Sequence, residues 1–247
     1  MEPQDNPDQL STDDAHILKL ESAAITGHTL KLVILEPGSQ RLDLGALKKH
    51  VGQRLSAQPR AIQRVDSGGT APRWVAATDF DIEDHVRCVV TPDFATQADL
   101  WRIVSTLMSE HLDRDRPLWT FDVIGPLADG REAIAARIHH AMADGIAGVR
   151  FLDAVLFDTH PDTPASGEVR SGPRPVVPAT SRREKARRMP AAVLRELGHR
   201  ASRSPFDQPI TAARELAFSV APLAEMKRIG ASRPGGATVN DVLLAII

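Results

Sequence analysis

The chain has 247 residues, 42% of them hydrophobic, which is enough to bury a sizeable core in one or at most two domains. Its 30 basic and 32 acidic residues nearly balance, so the net charge gives no general attraction to nucleic acid. The single cysteine, Cys88, excludes an internal disulfide and fits a reducing compartment. The composition therefore predicts a soluble, globular protein.

Residues 1–10 are polar and acidic, and we expect them to be disordered because they offer little apolar surface to bury. They also lack the apolar stretch of a signal peptide. No apolar run in the chain approaches the roughly 20 residues that span a bilayer. We therefore expect a cytoplasmic protein, with any contact to the inner membrane face or to lipid inclusions made from the surface.

Residues 11–158 show strand and helix patterns in succession, and they are predicted to form one N-terminal α/β domain. Ser11, followed three positions later by an acid, resembles a capping box for the first helix. This first predicted helix ends at Leu20. Three further helices are predicted over Leu42–Leu55, Ala95–His111 and Ile146–Leu156. The predicted strands are Thr29–Leu35, Ile62–Val65, Arg73–Val75, Val86–Val90, Trp119–Ile124 and Ala133–Ile138, the last two forming a hairpin.

A histidine pair, His139-His140, lies where the last predicted strand meets a helix, and Asp144-Gly145 follows three residues later. Because side chains alternate along a strand, the two histidines should point to opposite sides, so that one acts and the other supports. A neutral imidazole is the usual side chain for taking a proton from a hydroxyl near neutral pH. This turn is the candidate reaction centre.

Asp144 is expected to hold the turn, either by hydrogen bonds to the backbone or by pairing with an arginine. Gly145 permits a backbone conformation, or a close approach of substrate, that a Cβ would block. The plain structural alternative is one core histidine and one solvent histidine before an ordinary Asp-Gly turn. We predict no metal site, because adjacent strand histidines diverge and there is no His-Glu-x-x-His pattern. A serine nucleophile elbow is also absent.

Residues 159–210 change in character. The segment His160–Thr180 holds five prolines and little apolar periodicity, which predicts a flexible linker. A basic run follows, either a solvated helix face or a surface for anionic lipid headgroups and coenzyme A phosphates, and it continues into a predicted helix. The basic residues are Arg182, Arg183, Lys185, Arg187 and Arg188. For residues 211–247 we predict a strand at Arg214–Val220, a short helix at Pro222–Ile229 and a helix start at Thr238.

The sequence from His139 to Gly145 resembles the HHxxxDG motif of the CoA-dependent acyltransferase superfamily. Further blocks, in order, resemble the bacterial wax ester synthase/diacylglycerol acyltransferase family. These blocks are Phe80-Asp81 with His85-Val86-Arg87, Leu112-Asp113-Arg114 with Arg116-Pro117-Leu118-Trp119, and Thr238-Val239-Asn240-Asp241-Val242. The resemblance implies a chloramphenicol acetyltransferase-like fold, an α/β (α+β layered) architecture with the N-terminal domain and the start of a second.

The resemblance also implies transfer of a fatty acyl group from acyl-CoA to a long-chain alcohol or a diacylglycerol. His140 would be the general base, His139 its support, Asp144 the brace of the turn, and Gly145 the opening of the channel. The resemblance places substrate contacts at Pro117, Leu118, Trp119, Asn240 and Asp241. No cofactor is expected, since acyl-CoA is a substrate.

In the resembling family the last helix continues into a second half, with the reaction site between the halves. We therefore expect this chain to be an N-terminal half with the start of a truncated C-terminal domain. It would be a fragment, the product of a truncated reading frame, or one member of a pair with a separate C-terminal half. Two alternatives stay open. One is an inactive half-domain or binding module that needs such a partner. The other is a condensation-type acyltransferase with a different acceptor, because HHxxxDG alone does not choose it.

Overall fold

The computed structural model of the chain describes residues 8–69, 71–158, 208–217, 220–233 and 235–246. It divides into two compact units, Met1–Arg214 and Glu215–Ile247. The helices are α1 (Thr12–Leu20), α2 (Leu44–Arg54), α3 (Ile82–His85), α4 (Gln97–Ser109), α5 (Gly145–Leu156), α6 (Leu223–Ala231) and α7 (Val239–Leu244). The strands are β1 (His28–Leu35), β2 (Gln63–Asp66), β3 (Arg73–Ala76), β4 (Val86–Cys88), β5 (Trp119–Ile124) and β6 (Glu132–His139). Two 3-10 turns, Leu55–Ala57 and Pro59–Ile62, follow α2.

A four-stranded sheet in the order β1-β6-β5-β4 forms the centre of the first unit. β6 pairs antiparallel with β1 and with β5, and β4 pairs parallel with β5. Every residue of β6 is buried, as expected for a central strand covered on both faces. The register sets His139 opposite His28 of β1, so the histidine pair stands at the end of the most protected strand.

One face of this sheet is apolar and carries the main core. Trp119, Phe121 and Ile138 alternate onto it from β5 and β6, and they pack with Val51 of α2 and Phe151 of α5. The rings of Trp119 and Phe151 meet edge to face with centroids 5.6 Å apart. Complete burial of such side chains contributes roughly 1.5–3 kcal/mol each, so this layer fixes how β6 and α5 stand around the turn that joins them.

The opposite face is polar although it is also buried. Arg137 and Asp122 have side chains only 2% exposed, and they form an ion pair with 3.1 Å between Nη2 and Oδ2. The Arg137 guanidinium also donates to the Thr120 hydroxyl and to the Leu107 carbonyl of α4. A buried ion pair is tolerated when its remaining hydrogen-bonding groups are satisfied, as they are here.

Side-chain caps set the first residue of most helices. Ser11 accepts the Asp14 amide at the start of α1, and Asp43 accepts the Ala46 amide at the start of α2. Thr96 and Thr238 form reciprocal capping boxes with acids three positions on, at the starts of α4 and α7. Each cap satisfies an amide that the helix leaves free and contributes about 1 kcal/mol.

The predicted mixed α/β architecture, with the histidine pair at a strand-to-helix turn, is confirmed. Three details differ. The predicted strand Arg214–Val220 is wrong, because its described residues, 214–217 and 220, form no strand. β4 ends at Cys88, two residues early, and the one-turn helix α3 was not expected. The predicted linker and basic run lie outside the described residues. The domain boundaries at 10, 158 and 210 stay predictions.

Candidate active site

The turn after β6 is built by hydrogen bonds that converge on His139. Its carbonyl accepts the amides of Met142 and Ala143 at 2.9 and 3.2 Å. Its amide donates to the carbonyl of Leu118, 3.0 Å away, so the loop before β5 is fastened to the end of β6. The backbone of the turn is therefore fixed around one buried residue.

The His139 side chain is fully buried, and both ring nitrogens are engaged. Nδ1 accepts the amide N–H of Ala141 at 3.0 Å, and Nε2 lies 2.6 Å from Oε1 of Glu21. Because an amide can only donate, Nδ1 is unprotonated and the proton of the neutral ring sits on Nε2, facing the carboxylate. Burial lowers the pKa of His139 below its ordinary value, and the hydrogen bond that His139 donates to Glu21 opposes that shift.

His140 has the opposite environment. Its side chain is exposed, and its amide donates to the carbonyl of Gly27 at 2.9 Å. The prediction that neighbouring histidines take opposite sides is confirmed. Since His139 has both nitrogens committed, His140 is the member of the pair that can meet a substrate.

Asp144 holds the turn by a hydrogen bond to the backbone, the first of its two predicted roles, and not by pairing with an arginine of the described residues. Its Oδ1 accepts the Ala147 amide at 2.8 Å and so caps α5. Gly145 is the first residue of α5, and a Cβ there would meet no atom within 4 Å. Its φ lies outside the left-handed region, so the conformational explanation for this glycine is wrong. Its role in leaving space for a substrate stays a prediction.

Pro117, Leu118 and Trp119 are buried, and the carbonyl of Leu118 accepts the amide of His139. The indole of Trp119 donates Nε1–H to the carbonyl of Ala61 at 2.8 Å and stacks on the His85 ring. Leu118 shares a small apolar cluster with Ala141. The structure therefore brings these residues next to the histidine pair as packing partners, and their predicted contact with substrate stays a prediction.

Asn240 and Asp241 lie in the first turn of α7 in the second unit. Asp241 accepts the Thr238 amide at 2.8 Å, and the Thr238 hydroxyl accepts the Asp241 amide at 3.1 Å. These contacts explain an aspartate at this position through helix capping alone. A substrate role for the pair also stays a prediction.

Three residues that sequence reasoning did not assign to the site are part of its frame. Glu21, at the end of α1, accepts the hydrogen bond from Nε2 of His139, and Arg114 pairs with Glu21. Gly27, before β1, carries the carbonyl that holds His140. The alternation of β6 predicts a buried His139, and a buried imidazole needs partners, but nothing local indicates which distant acid supplies one.

The described residues include a polar cavity and an apolar one, and His140 lines neither of them. A polar cavity of about 210 Å³ in the first unit is lined by Asp84, Arg87, Glu110, Arg116 and Arg137, among others. An apolar cavity of about 380 Å³ in the second unit lies between α6 and α7. Within the same residues no group of three or more His, Cys, Asp or Glu side chains is placed to hold a metal ion.

The turn therefore carries a buried His139, hydrogen-bonded at both ring nitrogens, next to an exposed His140, within an HHxxxDG sequence. Comparison with known proteins gives the family. The family model described as "Wax ester synthase/diacylglycerol acyltransferase catalytic domain" matches residues 10–200. The chain belongs to the wax ester synthase/diacylglycerol acyltransferase family. This membership does not favour the condensation-type or binding-module alternatives.

Individual relatives point to the same family. Two Mycobacterium tuberculosis proteins named as diacylglycerol O-acyltransferases are each 32% identical, over 201 and 214 residues. These alignments cover 70% and 79% of this chain but only 39% and 44% of the relatives. The solved wax ester synthase/diacylglycerol acyltransferase of Marinobacter aquaeolei VT8 has the same fold, with 24% identity and a TM-score of 0.65 over 96% of this chain and 58% of its own. The chain thus spans roughly half the length of these proteins.

Proposed function

We propose that this chain supplies the histidine centre of an acyl-CoA-dependent O-acyltransferase that acts on a long-chain alcohol or a diacylglycerol. Family membership supports the reaction class. The observation that carries the proposal is the contrast within the pair, because His139 is buried with both nitrogens bonded while His140 is exposed.

In the proposed reaction His140 acts as the general base. It takes the proton of the acceptor hydroxyl while that oxygen attacks the thioester carbonyl of acyl-CoA. The tetrahedral intermediate then expels the thiolate as the C–S bond breaks, and the protonated His140 returns its proton to the sulfur. The products are an ester and free coenzyme A, and the base is regenerated without any resident cofactor.

The remaining site residues have supporting roles in the proposal. Asp144 braces the turn, and Gly145 leaves space at the start of α5 for the reacting groups. Pro117, Leu118 and Trp119 are buried, and their proposed contacts with substrate, like those of Asn240 and Asp241, rest on the family resemblance.

The proposed acceptor is a lipid, so we propose that the protein meets it at a membrane or lipid-inclusion surface. Ile146 and Val149 support this, because they are exposed apolar residues on the first turns of α5, close in sequence to His140. Among the described residues, no helix is both long and apolar enough to cross a bilayer.

The test measures release of free coenzyme A from palmitoyl-CoA with hexadecanol or diolein as acceptor. Because the relatives are about twice as long, the assay is run on the chain alone and on the chain co-expressed with the C-terminal half of a relative. We expect activity in the second arm, and His140→Ala should reduce it at least about a hundredfold, the scale of general base catalysis.

His16→Ala is the matched control, since His16 is an exposed histidine on α1 that lies outside the HHxxxDG sequence. It should retain the parental rate. Equal rates in His140→Ala and the parent protein would remove His140 from the chemistry and sink the proposed mechanism.

A further inference from the structure

The hydrogen-bond partner of the His139 side chain, Glu21, is distant from it in sequence. Glu21 follows α1 and precedes the buried strand position of His139 by 118 residues, yet its Oε1 lies 2.6 Å from Nε2 of the imidazole. The Glu21 side chain is itself only 11% exposed. A carboxylate buried to this degree is costly unless its other oxygen is also paired.

Arg114 provides that pairing. Its Nε donates to Oε2 of Glu21 at 2.7 Å, and its Nη2 donates to the same oxygen and to the carbonyl of Leu18 near the end of α1. The guanidinium therefore holds both the carboxylate and the helix that carries it. With Oε2 occupied by Arg114, Oε1 is left to face His139.

Gly27 makes this approach possible. Its φ of +69° is a left-handed conformation, and a Cβ at this position would overlap Nε2 of His139 and lie 2.8 Å from Oε1 of Glu21. Its carbonyl accepts the amide of His140. The same glycine therefore gives space to the buried histidine and fixes the backbone of the exposed one.

We propose that Glu21, held by Arg114, is a positioning residue that keeps the His139 proton on Nε2 and thereby fixes the turn that presents His140. The physical reason is the single proton of a neutral imidazole. If it moved to Nδ1, two N–H donors would face each other, and the Ala141 amide would lose its acceptor. His140 lies between His139 and Ala141, so the loosened turn would misplace it.

This inference rests on the proposed function for its catalytic consequence, but its structural core is testable without activity. The experiment records the ring nitrogen signals of His139 by NMR of the ¹⁵N-labelled chain, together with hydrogen exchange of the Ala141 amide. The parent protein should show an unprotonated Nδ1 and a protonated Nε2. Glu21→Leu should draw the two nitrogen signals together and speed Ala141 exchange by roughly tenfold or more.

Glu21→Gln keeps an oxygen acceptor at the same position and should preserve the Nε2–H form, so it separates loss of the acceptor from loss of the fold. The matched control is Glu132→Gln. Glu132 is a buried glutamate at the other end of β6, where its Oε2 accepts the Leu42 amide at 2.7 Å. This change should leave the His139 signals unchanged.

Where acyl transfer is observed, Glu21→Leu should lower kcat by roughly ten- to a hundredfold with little change in KM for acyl-CoA, because a misplaced base affects the chemical step. Glu21→Gln should retain most of the rate. Loss of activity in His140→Ala with an unaffected Glu21→Leu would contradict this inference and leave the proposed function intact. Unchanged ring signals in a folded Glu21→Leu protein would overturn it even without an assay.

Discussion

His139 and His140 are adjacent, yet the first is buried and the second is exposed. The inward ring is desolvated and bonded at both nitrogens, so it cannot accept a substrate proton without losing a contact. The outward ring keeps access to the surface. The burial of His139 and its contact with Glu21 therefore support the proposed assignment of His140 as the base.

Gly27 is the position in the site that can least accommodate a side chain. We predict that Gly27→Ala lowers the free energy of unfolding by more than about 2 kcal/mol, since a left-handed alanine alone costs roughly 1–2 kcal/mol and its Cβ would displace the His139 ring. Urea unfolding would measure the change.

The matched control is Gly52→Ala. Gly52 lies on the exposed side of α2, with nothing within 4 Å of a Cβ. Alanine there should stabilise the protein by up to about 1 kcal/mol. Similar unfolding midpoints for the two variants would show that the overlap with His139 is relieved without cost.

At the level of elements, α5 begins where it does because of Asp144. Asp144→Ala should lower the free energy of unfolding by about 1 kcal/mol through loss of the cap on Ala147, and it should also lower acyl transfer because the turn carries His140. Thermal unfolding and coenzyme A release measure the two effects. Asp144→Ser, which keeps a capping oxygen, should restore much of both.

Asp43→Ala separates the two consequences. Asp43 caps α2 through the Ala46 amide at 3.0 Å, away from the histidine turn. Its loss should cost a comparable amount of stability with no fall in specific activity. If Asp144→Ala kept full stability and lost activity, direct participation in the chemistry would replace the bracing role.

Elements marked by local signals could be predicted from the sequence. β5 and β6 stand out by apolar and β-branched runs around a turn, and α4 by its apolar spacing. The single turn α3 is too short to show a period, and it forms because Asp81 caps it and β4 follows at once. The segment from Arg214 has a strand-like composition, but a strand also needs a pairing partner, which composition does not show.

The site divides in the same way. The HHxxxDG turn and its two-sided geometry are local and could be predicted from alternation. Glu21, Arg114 and Gly27 could not, because their meeting with His139 depends on α1, the loop before β5 and β6 all packing together. Many acids in the sequence could have filled the place of Glu21, and only the tertiary fold selects one.

Across the whole molecule, buried imidazoles make the fold sensitive to acid. Burial, reinforced by the nearby Arg137 cation and by His139 and His111, lowers the pKa of His28 from 6.5 to about 4. Burial also lowers the pKa values of His85 and His139. In each case the unfolded chain binds a proton more readily than the folded one. The stability these groups contribute is therefore complete above pH 6.5 and is lost as the pH falls toward their folded pKa values.

We predict that His28 alone makes the free energy of unfolding fall by about 2 kcal/mol between roughly pH 8 and pH 5, since only the unfolded state gains its proton in that range. Urea unfolding at a series of pH values would measure the slope. His28→Gln removes this titration and should flatten the profile, leaving the smaller dependence due to the other buried imidazoles. Parallel profiles for the parent and His28→Gln would mean that His28 titrates alike in both states, contrary to its burial beside Arg137.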